Sequence, residues 1–386
     1  MSFNLNRRSW LKNVGLLGAG ATVLPSLFQE AQANPVVRQE LYNSLLSEFE
    51  HANHAFYTGK IRLNANENPH GPSEKAKKAV IDALPDSYMY AGKALEDFRK
   101  AIADKEGIKS ENVLLGAGSS ELLLASLISY GAKGSIMCGD TCYITGGRNE
   151  RMPLDKVLLT KDYQYDLDAM KAKITDKTSL IYICNPNNPT GAILPADKLK
   201  AFIDEVSPKV TILVDEAYID YAKDPKTESM MAKIIEGKNI IILRTFSKIH
   251  AFAGLRIGYA IGQPDTLKAL MNYCTGGMNI SYPSAKAALA SYLDADFQKF
   301  TYERTNEAKS YLYDFLKKSG YAYIPSSTNF VLFPIKMKGE DFMKKMDAEG
   351  IMIRRWEFDK QHWCRVSIGT MEQMKSFTNA FTKITA

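Results

Sequence analysis

Three apolar runs constrain this chain more than anything else in it: Ser179-Leu180-Ile181-Tyr182-Ile183-Cys184, Val210-Thr211-Ile212-Leu213-Val214 and Asn239-Ile240-Ile241-Ile242-Leu243. Each is too short for a helix and apolar on both faces, the pattern of a strand in the middle of a sheet. Segments of helical pattern lie between them, which predicts an α/β fold with a mostly parallel sheet. Each run stops at a cluster of a different kind: Asn185-Pro186-Asn187-Asn188-Pro189-Thr190-Gly191, then Asp215-Glu216-Ala217-Tyr218, then Thr245-Phe246-Ser247-Lys248. Open α/β sheets bind ligands just past the C-terminal ends of their strands. Asn188, Asp215 and Lys248 come from separate strands, and the pattern brings them to one such place.

A lysine taken alone is a solvated surface charge. Lys248 instead ends a buried strand beside hydroxyls, with Arg256 eight residues on. Those neighbours suit a phosphate and leave the amine for covalent work. An amine forms a Schiff base with a carbonyl, and pyridoxal phosphate is the cofactor that uses this. Asp215, at the end of a buried strand, needs a cationic partner; a protonated pyridine nitrogen is one, and an internal ion pair is another. Asn112-Val113-Leu114-Leu115 reads as a further strand, running through Gly116-Ala117-Gly118-Ser119-Ser120-Glu121 into a helix. Glycines let the backbone approach an anion, and helix N-terminal amides and serine hydroxyls donate to it.

Together these residues resemble the fold-type I pyridoxal-phosphate aminotransferases, and more narrowly the histidinol-phosphate aminotransferase family. The likeness runs from about Tyr57 to the C-terminus. It rests on L-N-x-N-E-N-P-x-G-P at Leu63–Pro72, the complete N-P-N-N-P-T-G, D-E-A-Y, the lysine segment, and L-R-I-x-x-G-T around Arg365. The resemblance implies a large mostly parallel αβα domain over 86–275 and a smaller α+β C-terminal domain over 276–386. An arm over 34–85 would contribute to the small domain. It also implies a homodimer, and transfer between an amino acid or amine donor and a 2-oxo acid acceptor.

By that resemblance Gly118, Ser119, Ser120, Ser247 and Arg256 hold the cofactor phosphate, and Tyr143 stacks on its ring. Asp215 holds the ring nitrogen, Asn188 and Tyr218 bond the phenolic oxygen, and Lys248 carries the Schiff base and moves a proton. Tyr90, or else Tyr88, reaches across the dimer to the phosphate. Tyr57, Asn188, Arg354 and Arg365 lie on the substrate side, Arg365 on a carboxylate and Arg354 toward a substrate phosphate. The chain departs from the family at His250-Ala251-Phe252, where Tyr-Gly-Leu is usual, in lacking Pro-Asp after Tyr90, and at Arg355 and Trp356. Decarboxylation or elimination on the same fold remains an alternative, as do a true histidinol-phosphate aminotransferase and a cofactor-binding sensor without catalysis.

The first 33 residues read as an address. Asn6-Arg7-Arg8-Ser9-Trp10-Leu11-Lys12, an uncharged segment to Gln29, and Ala31-Gln32-Ala33 resemble a twin-arginine export signal cut after Ala33. The expected location is therefore periplasmic or exported, with the export machinery a transient partner. A net charge of +6, with basic residues scattered rather than striped, gives nucleic-acid binding no support. Five cysteines are too few and too irregular for a disulfide framework or zinc site. Cys138 and Cys142 could pair in an oxidising compartment, with a pair of buried thiols the simpler expectation.

Overall fold

The computed structural model describes residues 59–145 and 154–385. The segment expected to be an export signal and Tyr57 lie outside them. A seven-stranded sheet organises the larger part of the chain. Its strands are β2 (Val113–Gly116), β3 (Ser135–Gly139), β4 (Leu154–Val157), β5 (Thr178–Cys184), β6 (Thr211–Asp215), β7 (Ile240–Thr245) and β8 (Gly258–Gly262). They lie in the order β2-β8-β7-β6-β5-β3-β4. β8 alone runs antiparallel to its neighbours, and the other pairings are parallel. The three apolar runs are the adjacent strands β5, β6 and β7, buried almost throughout.

Helices cover the sheet because their apolar residues recur at helical spacing. Ala196–Val206 buries Ala196, Leu199, Phe202, Ile203 and Val206 and turns its lysines outward. Helix Ser119–Gly131 starts directly after the β2 turn, so its free N-terminal amides lie at the strand ends.

A second core forms around an antiparallel sheet of β9 (Phe330–Pro334), β11 (Arg354–Phe358) and β12 (Gln361–Ser367), in the order β11-β12-β9. The N-terminal arm joins it: β1 (Ile61–Arg62) pairs in parallel with β10 (Ile351–Met352). Leu63 then packs with Leu312, Phe333, Phe377 and Phe381. The two cores do not divide at residue 275. Ile280, Ala285, Ala288 and Tyr292, with Ala76 from the arm, pack into the core of the large sheet.

Candidate active site

The ends of β5, β6 and β7 are held in register: Cys184 pairs with Asp215, and Asp215 with Leu243. The segments leaving them therefore emerge side by side. After β7 the chain turns sharply, Ala251 N donating to Lys248 O at 3.0 Å and Phe252 N to Phe246 O at 2.8 Å. The turn requires left-handed backbone at Ala251 (φ 62). It points Lys248 inward, with Nζ donating to Asn66 O at 3.2 Å and lying 5.4 Å from the centre of the Tyr218 ring. His250 is part of the scaffold: its ring stacks on Phe246 at 4.1 Å and bonds Ser291 at 2.8 Å. Burial, with the nearby charge of Lys105, pushes its pKa down to about 3, so it stays neutral.

Asp215 is 4% exposed, and both hydrogen bonds its carboxylate accepts come from neutral donors: Tyr182 OH at 3.0 Å and Ala217 N at 3.2 Å. Burial lifts its carboxyl to about 6 in spite of those bonds. The next residue, Glu216, is fully engaged elsewhere, with Ser229, Met230 N and Arg244. Of the two adjacent acids, then, one closes a structural ion pair and the other lacks a strong cationic partner.

Arg256 also sits in left-handed backbone (φ 54). Its guanidinium bonds Ser120 Oγ and Ala253 O, each at 2.9 Å, and no carboxylate neutralises it among the described residues. Gly118 (φ 83) lies directly beneath, where any Cβ would run into that guanidinium. Gly258 lets the Gly118–Ser119 backbone pass, since a Cβ there would strike Ser119 N. Ser247 follows Thr245, the partner of Gly258 across the sheet, and its hydroxyl accepts from Thr245 Oγ1 at 3.0 Å. The result is a cradle of amides, hydroxyls and one arginine, with an unneutralised positive charge.

On the other side Arg365, 2% exposed, reaches Asn188 Oδ1 at 2.6 Å and Asn64 O at 2.9 Å, and stacks over Phe330. Its Nε has no partner. Arg354 is its cross-strand neighbour on β11. Burial, and then the charge of Arg354, push Arg365 below the usual arginine range, to about 9. The Tyr143 ring lies near enough for its phenol to act on the same guanidinium.

The chain thus offers a buried carboxylate beside an amine, an anion cradle, and a buried arginine, Arg365, with the exposed Arg354 across from it on β11. Residues 58–381 match the family described as aminotransferase class I and II. The chain belongs to that family. It is 34% identical, over 84% of its own length and 86% of the relative's, to the histidinol-phosphate aminotransferase of Moorella thermoacetica. The aromatic amino acid aminotransferase of Mycolicibacterium smegmatis is 31% identical over 83% of this chain and 88% of that one. Among solved structures, the histidinol-phosphate aminotransferase of Sinorhizobium meliloti in complex with pyridoxal-5'-phosphate superposes with a TM-score of 0.74. It is 26% identical, covering 84% of this chain and 90% of that one.

The protein is therefore a pyridoxal-phosphate-dependent aminotransferase, and its site suits that cofactor on its own evidence. The cradle would suit a phosphate, Asp215 would suit a cationic ring nitrogen, and Lys248 is near enough for its charge to act on Asp215. With Asn188 Oδ1 committed to Arg365, its Nδ2 is the end left to donate.

Two residues of the expected site are not brought into it within one subunit. Tyr88 and Tyr90 are 83% and 87% exposed, in the segment before helix Gly92–Glu106. Others in the aminotransferase site had no assigned role in the sequence reading: Asn64, Asn66, Asn329 and Tyr182. The signal for two of them was present in L-N-x-N-E-N-P, whose first two asparagines face Arg365 and Tyr218. All five cysteines are free, with Cys138 and Cys142 buried thiols.

Proposed function

We propose that this aminotransferase takes a small anionic donor, an amino acid or a phosphate-bearing amine, and passes its amino group to a 2-oxo acid. The arginine pair carries this reading. Arg354 and Arg365 are cross-strand partners on β11 and β12, Arg365 buried with a free Nε and Arg354 exposed, and their like charges repel unless an anion lies between them. Histidinol phosphate and aromatic amino acids, named for the relatives, are the first donors to try.

Bound pyridoxal phosphate supplies a reactive carbonyl carbon and a ring that spreads charge from the substrate's Cα. The chain's own residues do the rest. Asp215 keeps a proton on the ring nitrogen, and Asn188 Nδ2 and Tyr218 OH donate to the phenolic oxygen. Gly118, Ser119, Ser120, Ser247 and Arg256 hold the phosphate, and Tyr143 covers the ring. With cofactor and substrate bound, Lys248 Nζ would be the base that moves the substrate's Cα proton. Asn66 O and Ala65 O, within 3.5 Å of Nζ, can accept from the ammonium that this proton transfer would form.

The working unit of this reading is a homodimer. The exposed Tyr88-Met89-Tyr90 segment supports it, with Tyr90 reaching the partner's phosphate cradle. The Asn6–Ala33 signal supports export of the folded, cofactor-loaded enzyme. Arg365→Ala tests the substrate assignment. Losing charge-assisted bonds worth about 1.5–3 kcal/mol should lower kcat/KM for carboxylate-bearing donors by about 10- to 100-fold. Donors without a carboxylate should change little. Equal losses for both would contradict the assignment.

A further inference from the structure

The L-N-x-N-E-N-P stretch holds a residue in an unusual position. Asn66 is buried, in left-handed backbone (φ 55), and every polar group it owns is engaged. Its N donates to Ser367 Oγ at 2.8 Å, and its Oδ1 accepts from the same hydroxyl at 3.1 Å. Its backbone O accepts from Asn329 Nδ2 at 2.9 Å and from Lys248 Nζ at 3.2 Å. Its Nδ2 donates to Tyr218 OH at 3.0 Å.

The orientation of this amide follows from Ser367. With Oδ1 committed to the serine, the N–H end faces the phenol. A phenol oxygen that accepts an N–H keeps its own proton to donate elsewhere. We propose that Asn66 is a positioning residue that sets the direction in which Tyr218 donates its proton, away from the arm and toward the cofactor's phenolic oxygen. The inference rests on the reading above that Tyr218 donates to that oxygen.

The backbone explains the choice of residue. Glycine would meet φ 55 with less strain but carries no amide, and asparagine is the side-chain-bearing residue that best tolerates this region. The same donation opposes the burial that raises the Tyr218 phenol, alongside the charge of Arg365.

Asn66→Asp is the discriminating change. A carboxylate accepts only, so it would draw the Tyr218 proton to itself and leave the phenolic oxygen without that donor. An oxygen anion deprived of a donor holds a neighbouring proton more tightly, so the pH midpoint of the cofactor's visible absorbance should rise. The experiment titrates the absorbance of the holoenzyme from about pH 5 to 10 in the wild type, Asn66→Asp, Asn66→Gly, Tyr218→Phe and the Asp/Phe double variant. A tenfold change corresponds to one pH unit. We expect about that rise for Asn66→Asp and Tyr218→Phe, and a smaller rise for Asn66→Gly. In the Tyr218→Phe background the aspartate should add only the effect of its bare charge. In turnover, Asn66→Asp should lower kcat by about tenfold with KM nearly constant.

An equal aspartate shift in both backgrounds would overturn the proposal. An unchanged midpoint in Asn66→Gly, which fits the backbone, would do the same should the aspartate variant fail to fold. An unchanged midpoint in Tyr218→Phe would instead remove Tyr218 from its own role, and the Asn66 proposal with it.

Discussion

Replacing Asp215 with asparagine should stabilise the apoenzyme and weaken the holoenzyme. The carboxyl is buried among neutral donors, and burial lifts it from 3.8 to about 6. The folded apoenzyme keeps this proton to about pH 6, whereas the unfolded chain gives it up near 3.8. Folding therefore takes up a proton between those values, and stability falls as pH rises through that window. At 1.36 kcal/mol per pH unit, a gap of about two units makes about 3 kcal/mol of stability missing above pH ~7. The substituted amide neither titrates nor buries a charge. The difference between variant and wild type should be flat below about pH 4, grow to about pH 6, and then level off.

Bound pyridoxal phosphate reverses the sign, because a cationic ring nitrogen stabilises the carboxylate that burial disfavours. The cofactor should thus raise wild-type stability by more than it raises that of the variant. Chemical denaturation of both proteins at a series of pH values, with the cofactor removed and restored, measures each quantity. An apo variant no more stable than wild type at pH 8 would refute the reasoning. So would equal stabilisation of both proteins by the cofactor.

Lys248→Ala should abolish turnover and the borohydride-stable attachment of the cofactor, since no other amine among the described residues occupies this part of the site; retained attachment, read by mass spectrometry, removes Lys248 from its role. Gly118→Ala would place a methyl group against the Arg256 guanidinium in a backbone region glycine favours. Cofactor dissociation should rise by about tenfold or more, measured by equilibrium dialysis. Changing Arg7 and Arg8 to lysine should strand an active, cofactor-loaded precursor in the cytoplasm. Fractionation with activity and absorbance assays tests this, and unchanged export or an inactive cytoplasmic precursor counts against it.

How much of this was legible in the sequence depended on why each residue is where it is. β5, β6 and β7 are apolar because they are central, so their order and buried character could be read directly. β8 carries no such signal: Gly258 is fixed by the closeness of the Gly118–Ser119 backbone, a contact between segments distant in sequence. The apolar stretch Ile351–Ile353 runs straight on into Arg354, yet two strands are found there. Ile351–Met352 pairs with β1 in the arm, while Arg354 begins a hairpin with β12. The hairpin turns at Asp359 and Lys360, both in left-handed backbone without a glycine to announce it.

In the site, Lys248, Asp215 and Asn188 stood out because each ends a strand with a polar group that burial would otherwise disfavour. Asn66 did not, because its meaning lies in the partners it finds from β12, from the residues before β9 and from the loop after β6. Tyr88 and Tyr90 could be read only as a pair of candidates, and both side chains are largely exposed.

The central claim is that this site transfers an amino group, with Lys248 moving the proton. Its most direct test is a single half-reaction: purified enzyme loaded with pyridoxal phosphate, mixed with one donor at a time and without any acceptor. Histidinol phosphate, aromatic amino acids and glutamate make a first panel. For a true donor the account predicts stoichiometric pyridoxamine phosphate and one equivalent of the matching carbonyl product, with no gas and no free ammonia. Release of carbon dioxide or ammonia with the cofactor returned unchanged would contradict it, and would assign the site to decarboxylation or elimination.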